Sequence, residues 1–96
     1  MNKRKITVVS PCYNEEDNVA HCYEAVRDIF ARDLPGYVCE HIFVDNASSD
    51  RTVEILRDIA TRDCSVKVVV TSRNFGVFRS AFHGLRYATG DAILVL

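Results

Sequence analysis

The chain has 96 residues, 48% of them apolar and 26% charged, with twelve basic against thirteen acidic side chains for a net charge of -1. That length bounds it to one compact unit around a single core, and the composition excludes a disordered or collagen-like chain. The near-neutral balance leaves no electrostatic case for nucleic acid or an anionic membrane surface, so any phosphate must be held locally.

Residues 5–10, KITVVS, are rich in β-branched side chains and run into Pro11, the pattern of a buried strand entering a loop. From Asn14 to Asp33 the apolar residues Val19, Cys22, Tyr23, Val26, Ile29 and Phe30 recur at three- and four-residue spacings, which predicts an amphipathic helix with Asn14 or Asp17 as its cap. Pro35 and Gly36 break the chain, and Val38–Val44 reads as a second strand ending on Asp45, followed by the polar loop Asn46–Ser49. Ser49 or Asp50 can cap a second helix whose buried stripe is Val53, Leu56, Ile59 and Ala60. Val66–Thr71 is a third strand, almost continuously β-branched. After the turn SRNFG a third helix is predicted over Val77–Ala88, with Phe78, Ala81, Phe82, Leu85 and Ala88 on one face and Gly90 as its stop. DAILVL then opens a fourth strand, which would present an apolar edge.

Strand and helix alternate throughout with short connections. The pattern is that of an α/β protein, a Rossmann-like parallel sheet flanked by helices and joined by right-handed crossovers. In such sheets ligands gather outside the carboxyl ends of the strands, where strand order reverses. PCYNEEDN, DNASSD and SRNFG all fall on that rim.

Cys12, Cys22, Cys39 and Cys64 have no C-x-x-C spacing and are expected to be reduced and mostly buried. With His21, His41 and His83 they form no zinc pattern, and His21 and His83 read as helix-surface or partly buried residues. The apolar run Ile6–Val9 is too short for a secretory segment, so a cytoplasmic location is expected. No stretch approaches the roughly 20 apolar residues of a membrane span, and membrane association is expected only through segments beyond these residues.

Each rim residue has two readings. Asp45 serves as a turn former or helix cap, or as a ligand group. Tyr13 covers the sheet edge or stacks on a flat base. Glu15 favours the positive end of the first helix or accepts hydrogen bonds from sugar hydroxyls. Arg73 is a surface cation or a phosphate clamp. Gly76 permits a turn or lets backbone approach a ligand.

P-C-Y-N-E from Pro11 to Glu15, V-D-N-A-S-S-D-R-T from Val44 to Thr52, R-N-F-G from Arg73 to Gly76 and A-T-G-D-A-I from Ala88 to Ile93 resemble family 2 glycosyltransferases. More narrowly they resemble the polyprenyl-phosphate branch, typified by dolichol-phosphate mannose and bactoprenol glucose transferases. The resemblance covers essentially the entire chain. It implies that residues 1–96 are the nucleotide-sugar-binding, amino-terminal half of a GT-A fold, with a UDP- or GDP-sugar as donor and a polyprenyl phosphate or glycan as acceptor. On that resemblance Pro11, Tyr13, Asn14 and Glu15 belong to the base and ribose pocket. Asp45 meets the base edge, Asn46, Ser48 and Asp50 shape or join its loop, and Arg73, Asn74 and Gly76 sit toward the phosphates.

Two positions depart from the family pattern: Asn46 stands where a second aspartate is common, and Val77 where a lysine commonly follows the glycine. The D-x-D element that holds Mg2+ or Mn2+ in the family would follow the fourth strand, after Leu96. These residues alone are therefore expected to bind nucleotide without transferring sugar. Two rival readings are a receiver-like phospho-signalling domain and a nucleotide-binding module without catalysis. A dinucleotide-binding domain is disfavoured, because PCYNEE and not G-x-G-x-x-G follows the first strand.

Overall fold

A computed structural model describes residues 3–96. The elements are β1 (Arg4–Cys12), α1 (Val19–Asp33), β2 (Tyr37–Asp45), α2 (Thr52–Arg62), β3 (Val66–Val70), α3 (Val77–Leu85) and β4 (Ala92–Val95). All four strands are parallel, in the order β3-β2-β1-β4. The chain steps outward from β1 through β2 to β3, then returns across the sheet to lay β4 on the other side of β1. Right-handed crossovers then require α1 and α2 on one face and α3 on the other. The switch in direction lies between β1 and β4, so the rim at the end of β1 is where a crevice opens.

Both faces of the sheet follow from strand alternation. On one, Val8 packs with Val26 and Phe30 of α1, while Phe43 packs with Val19, Tyr23, Leu56 and Ile59. On the other, Val9, Ile42 and Val44 form the cluster beneath α3, joined by Val69 and Ala88. Pro11 is carried inside β1, one pair short of its end, where Cys12 stands opposite Asp45. The last β1–β4 pair is Val9↔Val95, so the missing Pro11 N–H falls past the end of β4 and costs the sheet no bond.

Three expectations need correction. Helix α1 starts at Val19, and neither Asn14 nor Asp17 caps it; Asn18 holds the cap position without a side-chain bond. Its Nδ2 instead donates to Glu15 Oε2, at 3.2 Å. The face that α3 lays on the sheet is Ser80 and Gly84, not the expected aromatic stripe, and Phe78 and Phe82 are 84% and 71% exposed. The reason is close approach: a Cβ on Gly84 would stand 2.5 Å from Val9 Cγ1 and 2.9 Å from Val44 Cγ2, so only glycine lets the helix sit this near the strands. Finally, Cys64 is exposed, while Cys12, Cys22 and Cys39 are partly buried free thiols.

Candidate functional site

Three loops leave the carboxyl ends of β1, β2 and β3 and are bonded to one another. The first is held to the second by several hydrogen bonds. Asn14, in the left-handed region at φ 50°, donates its N–H to Ser48 Oγ (2.8 Å) and accepts the Ser49 N–H on Oδ1 (2.8 Å). The Glu15 N–H donates to Thr52 Oγ1 (2.9 Å) and the Glu16 N–H to Asp50 Oδ2 (3.2 Å). Asparagine tolerates a positive φ better than most residues, which suits it to this tight exit. The third loop joins through Thr71, whose N–H and Oγ1 both donate to the Asp45 carbonyl at 2.9 and 3.1 Å.

Asp45 is fully buried, at 0% exposure. Its Oδ2 accepts the Ser48 N–H at 2.9 Å and its Oδ1 accepts the Ser48 hydroxyl at 2.5 Å, the local ring by which an aspartate shapes a turn. Both oxygens are thus engaged by their own loop, and Asp45 is not among the residues lining the cavity described below. Beside it, the Cys12 thiol contacts Oδ1 at 3.8 Å. Burial first, and the Asp45 charge second, push that thiol up to about 12, so it stays protonated and inert.

Consecutive residues at a strand exit point opposite ways, and Asn46, itself buried, turns toward α3. Its N–H donates to the Cys12 carbonyl (2.9 Å), and its side-chain Oδ1 accepts the Ser80 hydroxyl. Ser80 thus orients the carboxamide from the opposite side of the rim. Asn46 lines an open cavity of about 250 Å3. Pro11, Cys12, Tyr13 and Glu15 line it from the first loop, and Asn74, Gly76 and Val77 from the third. Gly76 has φ 84°, and a Cβ there would meet nothing within 4 Å, so the position needs glycine for its backbone and not for space. Its N–H donates to Asn74 Oδ1 at 2.9 Å, which shapes the turn into α3.

The other expected residues have supporting positions. Ser48 and Asn14 clamp the two loops together and do not line the cavity. Asp50 accepts the Thr52 N–H (2.9 Å) and hydroxyl (2.5 Å). Partial burial would raise its carboxyl, but these bonds and the Glu16 N–H outweigh that and hold it below the usual range. Arg73 stands outside the cavity with its guanidinium 4.7 Å over the Phe75 ring.

Sequence reasoning did not assign Cys12, Thr52 or Ser80 to the site, and it named Val77 only as a departure from the family pattern. Ser80 had a legible signal, since it stands four residues before Gly84 and the pair forms a small-residue face on α3. A second, largely apolar cavity of about 210 Å3 shares Pro11, Cys12 and Glu15 and is also lined by Leu96. Among the described residues no three His, Cys, Asp or Glu side chains are grouped to hold a metal ion, so they do not fit Mg2+ or Mn2+. No described helix is long and apolar enough to cross a membrane.

Comparison with known proteins bears on the family and the fold. Residues 7–96 match the model of the family described as Glycosyl transferase family 2. The chain is 38% identical over 90 residues to a prophage bactoprenol glucosyl transferase homolog of Escherichia coli (strain K12), covering 94% of this chain and 29% of that protein. It is also 38% identical over 92 residues to the undecaprenyl-phosphate 4-deoxy-4-formamido-L-arabinose transferase of Edwardsiella ictaluri (strain 93-146), covering 95% and 28% of the two. The chain thus spans under a third of the length of the curated relatives it matches. Its fold superposes on the mannosyltransferase PcManGT from Pyrobaculum calidifontis, solved in complex with GDP-Man and Mn2+. The TM-score is 0.74 at 26% identity, over 96% of this chain and 26% of that one. S. aureus TarS 1-349 in complex with UDP shares the fold at TM-score 0.74 and 24% identity, again over 96% of this chain and 26% of that one. The parallel sheet flanked by helices is that of GT-A glycosyltransferases, and the chain belongs to glycosyl transferase family 2.

Proposed function

We propose that residues 1–96 form the nucleotide-sugar-binding part of an inverting glycosyltransferase that moves a sugar from a UDP- or GDP-sugar to a polyprenyl phosphate. The observation that carries this reading is the convergence of three strand-exit loops on one cavity, presenting an aromatic ring, a carboxylate and two carboxamides. A cavity of about 250 Å3 is below the roughly 300–1,000 Å3 of a complete ligand pocket, which suits a base and part of its ribose, with the remainder of the donor lying across the open side. The PcManGT structure holds GDP-Man, and the curated relatives are described as bactoprenol and undecaprenyl-phosphate transferases, which supports the donor and acceptor classes.

In this reading the half-exposed Tyr13 ring stacks on the base, and Glu15 accepts hydrogen bonds from ribose hydroxyls. The Asn46 carboxamide, its oxygen engaged by Ser80, offers its N–H donors to a carbonyl on the base edge. Asp45 acts one step back by holding the Asn46 loop in shape. The α3 amino terminus and the Asn74–Gly76 turn lie toward the phosphates, where helix N–H groups favour negative charge. A divalent cation in a family 2 enzyme stabilises the leaving diphosphate; the described residues hold no ligand set for one, so this chain alone should bind nucleotide without transferring sugar.

The test is titration of UDP and GDP, with and without Mn2+, into isotope-labelled chain. Shift changes centred on Tyr13, Glu15, Asn46 and Gly76 are expected, with little effect of Mn2+. Absence of perturbation at the rim at millimolar nucleotide, or sugar transfer by these 96 residues, would overturn the reading.

A further inference from the structure

Strand β4 cannot specify its own pairing. Residues 92–96 are apolar at every position and both faces of the strand are exposed, so no polar and apolar alternation distinguishes one register from the next. The observed register is nonetheless definite, from Ile6↔Ala92 to Val9↔Val95. What distinguishes it lies before the strand, in the A-T-G-D turn that the nucleotide cavity does not use.

That turn is fastened to β1 and β2. The Asp91 N–H donates to the Lys5 carbonyl at 2.7 Å, and the Lys5 N–H returns a bond to Asp91 Oδ2 at 2.9 Å. The Gly90 N–H donates to Thr7 Oγ1 at 2.9 Å, and that hydroxyl donates in turn to Glu40 Oε1 at 2.8 Å. Thr89 gives Glu40 its N–H (2.8 Å) and its hydroxyl (2.9 Å), while Lys67 Nζ of β3 reaches Oε2 at 2.6 Å. Glu40, on β2, is 4% exposed, so a buried carboxylate gathers donors from β1, β3 and the turn. Gly90 completes the fit, since a Cβ there would stand 2.5 Å from Thr7 Oγ1 and 2.7 Å from the Thr7 nitrogen. Moving the turn by one residue takes the Thr89 hydroxyl and the Asp91 carboxylate away from their partners and sets a residue with a Cβ against Thr7.

We propose that Glu40 and the Thr89–Asp91 turn form a register lock, which selects the β1–β4 pairing and so decides which residue of the β4 exit arrives beside Pro11 and Cys12. A slip of one residue would shift the exit by roughly 3.3 Å and exchange the two faces of the strand. Leu96, whose N–H donates to the Val9 carbonyl at 2.9 Å, would no longer line the apolar cavity together with Pro11. Glu40 is thus a positioning residue, acting through β4. Its meaning for sugar transfer rests on the nucleotide-binding reading, but the register itself does not.

The experiment is NMR of the labelled chain and of Glu40→Ala, Thr89→Val and Thr89→Ser, reading interstrand nuclear Overhauser contacts and amide exchange. In Glu40→Ala and Thr89→Val the Asp91 and Leu96 amides should exchange about tenfold faster or more, the loss expected from one or two hydrogen bonds. Contacts from more than one β1–β4 register should appear, while β1–β2 contacts stay native and Thr89→Ser restores the single register. A single native β4 register in Glu40→Ala would overturn the lock, and so would parallel loss of the β1–β2 contacts, which would make Glu40 a general core tie. UDP titration of the same samples separates the two readings: a register change in a chain that never bound nucleotide leaves the lock standing and removes the cradle.

Discussion

Substitution at Asp45 and at its neighbour Asn46 should have opposite signatures, and the contrast tests how the rim is built. Asp45→Ala deletes the acceptor for two bonds from Ser48, at 2.9 and 2.5 Å. Hydrogen bonds to a charged group contribute about 1.5–3 kcal/mol each. Burying the carboxylate offsets part of that, and the freed Ser48 donors can regain water because the loop is half-buried, leaving a net loss of roughly 2–4 kcal/mol. That is a large share of the 5–15 kcal/mol typical of a domain. Asp45→Asn keeps one acceptor oxygen and should lose about half as much. Asn46→Ala gives up the Ser80 bond, worth about 1 kcal/mol of stability, and should weaken UDP or GDP binding about three- to tenfold. Urea unfolding gives the stabilities and calorimetric titration the affinities. If Asp45→Ala left the unfolding midpoint unchanged while abolishing nucleotide binding, the reasoning would fail and the open carboxylate would be reinstated.

Acid should destabilise the fold in two stages. Burial lowers His41 from 6.5 to about 4, so as pH falls from about 6.5 toward 4 the unfolded chain gains a proton that the folded chain refuses. For Glu40 burial alone would raise the carboxyl, but bonds from Lys67, Thr89 and Thr7 outweigh it and take it from 4.5 to about 2. That stabilisation, present above pH 4.5, is worth roughly 3 kcal/mol and is lost as pH falls toward 2. A urea midpoint that stays flat from pH 7 to pH 3 would contradict both. Gly84→Ala sets an overpacking cost of about 1–3 kcal/mol against a helix-propensity gain of about 1 kcal/mol, so a net loss is expected in thermal or urea unfolding and a raised midpoint would refute the close packing of α3. Phe82→Glu, at a ring 71% exposed, should change stability by less than about 0.5 kcal/mol while reducing self-association in analytical ultracentrifugation; unchanged association would show that the apolar α3 and β4 surface is not its cause.

Much of the rim was legible along the chain. Short β-branched runs that stop at Pro11, at Asp45 and before Arg73 mark strand exits, and parallel topology obliges those exits to share one edge of the sheet. The alternation of elements, the family motifs and their order are local or linear properties, and they were enough to assign the α/β class and the side on which a ligand would bind. Helix faces were less legible where small residues do the packing. The apolar spacing of Phe78, Phe82 and Leu85 is a sound helical signal, yet it names a surface that is uncovered, while Ser80 and Gly84 carry the contact because they add no bulk between helix and sheet.

What the sequence determined by itself was therefore the order of strands, helices and polar exits, because periodicity and turn chemistry act between near neighbours. Which of two adjacent polar residues, Asp45 or Asn46, turns toward the cavity was decided only in three dimensions. The choice depends on Ser48 holding one side chain in its own loop and on Ser80, 34 residues away on α3, drawing the other toward the cavity beneath that helix. The register of β4 is of the same kind. Its residues are interchangeable in polarity, and only donors brought from Thr7, Lys67 and Thr89 to the buried Glu40 carboxylate distinguish one pairing from the next.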